Sequence, residues 1–467
     1  MQCVDIVCFM PRNATATNNL EAPRWLRRVR RGEGPIFLAI ADALEAAVRE
    51  GELQPGDRLP PQRQVAGLLG VDFTTVTRAY GAARERGLVE GAVGRGTFIR
   101  ARAAEDEAGR VDLSMNLPPP PDGVSLAALL AETTAAVLAH TDAATLMAYH
   151  PGAGTLGQKA AGADWLAPML GETPPERLLV CPGAQAGLTA ILAAVARAGD
   201  VVLVEPLTYP GIRNIAAQLG LRLVPCPPEP EAVARACAEH RPAAVYLIPT
   251  TQNPTASTLD LATRRDLARV IAAAGVWLIE DDPYGRLFDQ APPAIASFAP
   301  ERSFYLATLS KCLSPGLRTA YLRTPPGEIA ERTAAALRAV ALMPAPLMTA
   351  VATRWIREGQ ADALLQGVRR EARARRALTA EILPGAQGAA EGVHVWLDLP
   401  AGAPAQLQLA AQQRGLSLVT ADAFVVGEAA RQGVRISLGG PARRGVLSEA
   451  LGQVVSLITD RDARLVV

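Results

Sequence analysis

The feature that most limits the possible folds is a series of six short apolar runs between residues 178 and 307. Each run has the length of a buried strand, and stretches with helical spacing, such as 184–197 and 261–274, lie between them. Strands that alternate with helices predict an α/β domain with a mostly parallel sheet. The runs are 178–181, 201–205, 221–225, 243–248, 276–280 and 304–307.

Polar residues follow five of these runs, at the strand ends where ligands bind in sheets of this kind. Each of these residues also has an ordinary explanation when taken alone. Gly183 and Asn253 could be turn residues, and Asp281 could be a helix cap or a magnesium ligand. Tyr209 and Tyr284 could belong to the core. Together, all of these residues favour a cofactor site. The residues are Gly183, Ala184 and Gln185, then Tyr209, Asn253, Asp281, Tyr284 and Lys311.

Lys311 stands in a chain that otherwise places its positive charge on arginine. Lysine and arginine together number 47, and the lysines are Lys159 and Lys311. Arginine keeps its proton and forms no imine, whereas a desolvated lysine can lose the proton and react. Because the hydroxyls of Thr308 and Ser310 precede Lys311, we interpret it as the residue that reacts with a carbonyl group. The alternative, a solvated surface lysine, is our interpretation of Lys159.

The set matches the chemistry of pyridoxal 5′-phosphate. Lys311 would form the imine, and Asp281 would keep the pyridine nitrogen protonated so that the ring accepts electrons. Asn253 and Tyr284 would hydrogen-bond the phenolate oxygen, and Tyr209 would stack on the ring. A phosphate needs a helix N-terminus and a fixed cation. The candidates for that role are Gly183, Ala184, Gln185, Thr308, Ser310 and Arg318.

A second fold is predicted before residue 100. Apolar residues recur every four positions over 36–49 and predict an amphipathic helix. Further helices are predicted over 62–69 and 73–86, with short strands at 88–90 and 97–99. Three helices and a hairpin in this space indicate a winged helix-turn-helix. A small bundle with no role in DNA binding fits the same pattern.

Charge and cysteine usage limit the possible partners. The net charge of +1 means that any surface for nucleic acid must be local, and the five arginines of 24–31 form either a basic arm or a solvated tail. The six cysteines show no CxxC pair and no histidines at zinc spacing, so we predict no metal site and a reduced, cytoplasmic protein. No run is long enough for a transmembrane helix, so no membrane partner is expected.

Residues 34–100 resemble the DNA-binding domain of the GntR family. The matching stretches are 56–63, 69–71, Thr74-Thr75-Val76-Thr77-Arg78-Ala79-Tyr80, and Gly94-Arg95-Gly96-Thr97-Phe98. The resemblance implies that the domain binds a duplex DNA operator. The implied contacts are Arg63, Thr74, Thr75 and Gly96, with Arg78 and Arg95 on phosphates. The family commonly has arginine where this chain has Phe73.

Residues 114–467 resemble the class I and II aminotransferases of fold type I. The matching motifs are Asn253-Pro254-Thr255, Glu280-Asp281-Asp282-Pro283-Tyr284, and Thr308-Leu309-Ser310-Lys311 with Arg318. The resemblance implies that Arg435 binds a substrate carboxylate. It also implies a homodimer, in which Tyr149 reaches the cofactor phosphate of the partner subunit. The usual glycine of the first motif is replaced by Ala256.

A winged helix fused to such a domain resembles the MocR subfamily of GntR regulators. Polar composition predicts an arm at 1–33 that is partly disordered, and a charged stretch that contains alanine and glycine predicts a linker at 101–113. The resemblance places the DNA-binding domain at 34–100 and the large domain at 114–467. It also implies a transcription factor that binds pyridoxal phosphate and senses an amino acid, an amine or a vitamin B6 compound. The alternative is a working aminotransferase that moves an amino group between an amino acid and a 2-oxo acid.

Overall fold

The structure is a computed structural model, and it describes residues 23–30, 34–54, 57–86, 88–92, 96–99, 110–150, 152–428 and 431–462. The chain separates into two compact units, Met1–Arg102 and Ala103–Val467. Each unit buries a hydrophobic core of its own. Within the described ranges, no helix is long and apolar enough to cross a membrane.

The N-terminal unit contains three helices and an antiparallel hairpin, which confirms the predicted winged helix-turn-helix. The elements are α1 (Ile36–Arg49), α2 (Gln62–Leu69), α3 (Phe73–Glu85), β1 (Val89–Ala92) and β2 (Gly96–Ile99). Ile40 and Leu44 of α1 are fully buried, as are Val76 and Tyr80 of α3, because helical spacing puts each pair on one face. Asp72 caps α3 by accepting a hydrogen bond from a backbone amide of its first turn.

The first half of the large unit alternates strands with helices, as predicted. In chain order the elements are β3 (Val111–Asp112), α4 (Leu126–His140), α5 (Ala143–Leu146), α6 (Leu156–Leu170), β4 (Leu178–Cys181), α7 (Ala184–Val195), β5 (Val201–Val204), α8 (Pro210–Leu219), β6 (Arg222–Pro225), α9 (Pro230–His240), β7 (Ala244–Leu247), α10 (Leu261–Ala274), β8 (Trp277–Asp281), α11 (Ile295–Phe298), β9 (Ser303–Thr308) and β10 (Ala320–Arg323).

The second half of the large unit is mostly helical, with short strands near its end. Its elements are α12 (Glu328–Ala341), α13 (Pro346–Arg357), α14 (Gln360–Ile382), β11 (His394–Asp398), α15 (Ala403–Gln413), β12 (Leu416–Ser417), β13 (Val419–Thr420), β14 (Gly433–Ser437) and α16 (Arg444–Asp462).

A seven-stranded sheet forms the centre of the large unit, in the order β4-β10-β9-β8-β7-β5-β6. The pairs from β9 through β6 are parallel, and β10 alone runs antiparallel to its neighbours. This confirms the prediction of a mostly parallel sheet. Strands β4, β5, β7 and β9 are buried along their whole length, as expected where helices cover both faces.

A smaller sheet, β11-β14-β13, packs with α14, α15 and α16 around a separate core. Strand β3 belongs to the same region, because it pairs in parallel with β12 and is followed by the fully buried Leu113. We predicted that the linker runs to residue 113. The structure places residues 111–113 in the large unit instead, since this short stretch pairs with a strand 305 residues further along the chain.

Candidate functional site

A cavity of about 470 Å³ opens at the C-terminal ends of the parallel strands. It brings together nine of the residues predicted for the cofactor and its ligand. These are Ala184, Gln185, Tyr209, Asn253, Asp281, Tyr284, Thr308, Lys311 and Arg435. Three more, Gly183, Ser310 and Arg318, lie directly beside them.

Lys311 follows β9 and extends into this cavity. Its Nζ donates a 2.6 Å hydrogen bond to the backbone carbonyl of Asn116. Burial, together with the positive charges of Arg435 and Arg318, lowers the pKa of Lys311 to about 8, although the carboxylate of Asp281 opposes the shift. About a tenth of the amine is therefore unprotonated at pH 7. This gives the side chain the nucleophilic form that reaction with a carbonyl requires.

Asp281 is the last residue of β8, and it is 5% exposed. Burial raises the pKa of its carboxyl to about 6, and a hydrogen bond from Tyr246 limits the rise. The hydroxyl of Tyr246 lies 2.7 Å from Oδ2 of Asp281. The carboxyl is therefore mostly ionised at neutral pH, as is needed to hold a protonated ring nitrogen. Its neighbour Asp282 accepts bonds from Gly285 and Tyr305, and is thus a structural cap.

The hydroxyl of Tyr284 accepts a hydrogen bond from the side-chain amide of Asn116, 168 residues earlier in the chain. Asn116 donates from Nδ2 to Tyr284 Oη at 2.9 Å and lies 3.0 Å from Nδ1 of His394. Burial lowers the pKa of His394 to about 3, so the ring is neutral at physiological pH. Its Nδ1 accepts from Asn116, and its Nε2 donates to the carbonyl of Gln252 at 3.1 Å. Oδ1 of Asn116 has no partner among the described residues.

Arg435, in β14 of the smaller sheet, is buried and lines the cavity together with Asp281 and Lys311. One terminal nitrogen donates to Oδ1 of Asn253 at 2.7 Å, and the other donates to the backbone carbonyl of Ser114. Burial lowers the pKa of the guanidinium from its ordinary value, and its Nε has no partner among the described residues. A buried cation with an unused donor is suited to a ligand carboxylate.

Residues predicted for the cofactor phosphate meet at the N-terminus of α7. Gly183 precedes the helix with φ of 94°, and a Cβ there would lie 2.6 Å from Nη2 of Arg318. A side chain here would have to displace the guanidinium, and the positive φ separately favours glycine at this position. Thr308 and Ser310 bond each other at 2.9 Å beside it. A helix N-terminus, a fixed cation and two hydroxyls form the group expected for a phosphate.

Tyr149, which was predicted to contact the cofactor, does not line the cavity of its own chain. Its side chain is 78% exposed, shortly after α5. A role across a subunit interface therefore stays a prediction. Met147 and Leu156, which are close to Tyr149 in sequence, and Leu342 are also exposed apolar side chains.

The predicted DNA contacts lie mainly on α2 and the first turns of α3. Arg63, Thr74 and Arg78 are exposed, and Thr75 is half-buried. The hydroxyl of Thr74 donates a hydrogen bond to Asp72. In the DNA-free protein its proton is therefore already bonded within the domain. Gly96 begins β2 with φ of 117°. Arg95 lies outside the described residues.

Phe73, the first residue of α3, is 45% exposed, and the guanidinium of Arg63 lies 5.9 Å from its ring centroid. The guanidinium of Arg78 lies 4.0 Å from the ring of Phe37. Two of the predicted cations thus rest on aromatic rings at the surface of the unit. Residues in the first turn of such a helix are the ones that contact base edges in a helix-turn-helix.

The residues in and around the large-unit cavity that were not predicted include Asn116, Tyr246 and His394. Asn116 follows the linker, Tyr246 lies within an apolar run, and His394 is one of four histidines in the chain. A polar side chain flanked by apolar residues on a buried strand was the available signal for the last two. Nothing in the sequence near Asn116 indicates its partners, which lie 168 and 278 residues away.

Known proteins share both parts of this chain. Residues 110–446 match the family model for aminotransferase class I and II, and residues 37–99 match the model for bacterial regulatory proteins of the gntR family. The chain is 31% identical to an uncharacterized HTH-type transcriptional regulator, YdeF, of Bacillus subtilis (strain 168), over 93% of this chain and 97% of that protein.

Two further likenesses are to a regulator and to an enzyme of known structure. The probable rhizopine catabolism regulatory protein MocR of Rhizobium meliloti is 28% identical over 72% of this chain and 74% of its own. The crystal structure of LysN, the α-aminoadipate aminotransferase of Thermus thermophilus, superposes with a TM-score of 0.70 at 23% identity, covering 82% of this chain and 99% of that one. At that identity, the structural likeness shows the fold.

Proposed function

The chain belongs to the MocR subfamily of gntR-family regulators, in which an aminotransferase class I and II domain follows the DNA-binding region, and from this membership we propose what its large domain does. The domain binds pyridoxal 5′-phosphate and an effector that is an amino acid, an amine or a vitamin B6 compound. Effector binding changes how the N-terminal unit holds a duplex DNA operator.

The observation that carries the proposal is the fit of the cavity to pyridoxal phosphate. Lys311 has the lowered pKa, and Asp281 the ionised carboxylate, that a covalently held pyridine cofactor needs. The space at Gly183 admits Arg318 to the start of α7, where a phosphate would bind. When bound, the cofactor supplies an electrophilic aldehyde and a ring that accepts electrons.

The remaining side chains would bind and orient. Asn253 and Tyr284 face the cavity with oxygen and nitrogen atoms suited to the phenolate of the ring, and Tyr209 offers an aromatic face. Arg435 would hold a ligand carboxylate with two parallel N–H groups. These side chains would allow the domain to bind an amino acid, and none of these roles requires that the bound amino acid be converted to product.

A second function, steady transamination, is favoured by the same lysine. With a pKa of about 8, Lys311 has an amine that can accept and return a proton near neutral pH, which catalysis as well as binding would use. The fused DNA-binding unit favours the regulator, because an enzyme has no need of it.

One experiment separates the two functions. The cofactor-loaded protein is mixed with a panel of amino acids and 2-oxo acids, and the cofactor absorbance is followed together with the formation of new amino acid. A regulator gives a spectral change that stops after one equivalent, whereas an aminotransferase accumulates product over many turnovers. Continuous turnover without operator binding would replace the regulator by the enzyme.

We also propose that the large unit forms a homodimer. The exposed side chains of Met147, Tyr149, Leu156 and Leu342 support it, because a second copy would remove their apolar surface from water. Light scattering at micromolar concentration should give twice the chain mass of 49.0 kDa. Tyr149→Ala should then weaken cofactor binding without affecting Lys311 directly, and a monomeric wild type would refute the dimer.

A further inference from the structure

Residues 111–117, here called the covering segment, lie near the start of the large unit, and three of them, Ser114, Met115 and Asn116, line the cavity. The segment is held by backbone pairing: Val111 donates to the carbonyl of Gly415 at 2.8 Å, and Leu113 donates to that of Ser417 at 3.0 Å. Ser437 holds it further, since its amide donates to Leu113 and its hydroxyl donates to the carbonyl of Met115 at 2.7 Å.

Two backbone carbonyls of the covering segment accept hydrogen bonds from Lys311 and Arg435, the side chains that the cofactor and the ligand would use. The carbonyl of Asn116 accepts the bond from Lys311 at 2.6 Å, and the carbonyl of Ser114 accepts the bond from Arg435. The two carbonyls are only two residues apart in the chain, so one short stretch satisfies both cations. The contacts replace hydration that Lys311 and Arg435 lose on burial.

Two glycines show how closely the segment is packed. A Cβ at Gly439 would overlap the carbonyl of Leu117, and a Cβ at Gly440 would overlap the carbonyl of Asp112. Both glycines follow β14, the strand that carries Arg435 and Ser437. β14 and the two glycines after it therefore leave room for the covering segment to pack directly against them.

We propose that the covering segment competes with the cofactor and the effector for Lys311 and Arg435, and that the effector is a compound bearing both an amine and a carboxylate. Covalent attachment of the cofactor takes Lys311 from the carbonyl of Asn116. A ligand carboxylate, the stronger acceptor, takes Arg435 from the carbonyl of Ser114. Once both cations have left it, the segment keeps its backbone pairing, its bonds with Ser437 and the bonds of the Asn116 side chain to Tyr284 and His394. The inference rests on the proposed function and specifies its ligand.

The consequence for regulation follows from the order of the chain. The covering segment comes directly after residues 101–110, which join it to the DNA-binding unit. Whatever loosens the segment changes the chain that connects the two units. If ligand binding loosens the segment, then loosening the segment must also favour ligand binding by the same factor. An amine without a carboxylate would leave Arg435 bonded to the carbonyl of Ser114, so it should loosen the segment less than an amino acid does.

The first test needs no effector. Hydrogen–deuterium exchange is measured on the full-length, cofactor-loaded protein, with the amides of Val111 and Leu113 as reporters. Arg435→Ala and Ser437→Ala each remove one bond to the segment and should speed exchange there about two- to tenfold. Ser303→Ala is the matched control, because it also removes one 2.7 Å serine bond to a backbone carbonyl but lies in the central sheet. Unchanged exchange in both test variants, in protein whose circular dichroism matches wild type, would overturn the proposal.

The second test uses matched ligand pairs. α-, β- and γ-amino acids are compared with the amines that remain when their carboxyl group is removed, for example L-alanine with ethylamine. At least one amino acid should speed exchange at Val111 and Leu113, and its amine should do so by a much smaller factor. Equal effects of an amino acid and its amine, or no effect from the whole panel, would overturn the ligand class.

The two proposals fail in distinguishable ways. If an amino acid alters DNA affinity while exchange in the covering segment stays constant, the regulator stands and the competition is wrong. Ser437→Ala provides the direct check, because its hydroxyl bonds the segment and neither Lys311 nor Arg435. It should shift DNA affinity in the same direction as the active amino acid. A shift in the opposite direction would contradict the coupling.

Discussion

The hydroxyl of Tyr246, within one strand of the parallel sheet, donates a 2.7 Å hydrogen bond to Oδ2 of Asp281 at the end of the neighbouring strand. A bond donated to the ionised form of a buried carboxyl opposes the rise in pKa that burial causes. The ionisation of Asp281 therefore depends on a residue that does not line the cavity.

Tyr246→Phe should raise the pKa of Asp281 above its wild-type value of about 6. Because the cofactor needs the ionised carboxylate, its affinity should fall about tenfold at pH 7, as expected for loss of one bond to a charged group. The loss on acidification should begin at a higher pH than in wild type. Absorbance titrations of the cofactor between pH 5 and 9 measure both effects.

Tyr321→Phe is the control for that variant. Tyr321 is also fully buried in the sheet, but its hydroxyl has no partner among the described residues. Removing it should leave cofactor affinity unchanged at every pH. Equal losses in the two variants would mean that the Tyr246 hydroxyl acts only through packing.

Lys311 should be the site of covalent attachment, and the attachment rate should follow its pKa. Only the unprotonated amine reacts, so the rate should rise with pH through about 8 and level off above it. An unperturbed lysine, with a pKa of about 10.4, would still be accelerating at pH 9. Stopped-flow absorbance gives the profile, and borohydride reduction with mass spectrometry gives the site. A Lys311→Ala variant that still retains reduced cofactor on the chain would disprove the assignment.

Arg435→Ala should separate cofactor binding from ligand binding. The cofactor should still attach, because Arg435 contacts Asn253 and Ser114 rather than the residues predicted for the phosphate at α7. Loss of a bidentate charge pair costs about 2–5 kcal/mol, so the spectral response to amino acids should need at least about thirtyfold more ligand. The same ligand titration on Arg435→Ala and wild type decides this, and equal midpoints would remove Arg435 from the ligand site.

The parts of the site that the sequence predicted are those set by local pattern. Lys311, Asp281 and Asn253 follow apolar runs, and the ends of parallel strands meet at one edge of a sheet. Tyr246 and His394 were missed because a buried polar residue on a strand looks the same whether it serves a site or the core. Asn116 was missed because its contacts depend on how the chain entrance packs.

Local backbone chemistry was also only partly predictable. Ala256 replaces the usual glycine of its motif, and in the structure it adopts φ of 57°, the left-handed region that glycine prefers. Its side chain is 4% exposed. The motif thus accommodates an alanine in a glycine-like conformation, at a strain of about 1–2 kcal/mol that the burial of its methyl group offsets by about 0.8 kcal/mol. Sequence alone identified the substitution but not the conformation.

Salt dependence should show how α3 meets DNA. Phe73→Arg adds a cation at the exposed start of the helix and should steepen the plot of log affinity against log salt by about one unit. Arg78→Ala should flatten the same plot by about one unit and weaken binding to all sequences similarly. Fluorescence anisotropy on a selected operator and on random duplex, over a range of about 50 to 200 mM salt, measures both slopes. Slopes that stay at the wild-type value in both variants would place these positions away from the phosphates.

The most direct measurement of the central claim is operator affinity with and without the loaded cavity. An operator is first selected from duplex DNA, using the full-length protein, and its affinity is then measured with no addition, with pyridoxal phosphate, and with pyridoxal phosphate plus each amino acid of the panel. We predict that at least one amino acid changes the affinity about 5–150-fold in wild type, the usual range for coupled sites. Lys311→Ala should bind the operator but show no such change. Operator affinity that is the same in all three states, or no duplex bound more tightly than random DNA, would contradict the account.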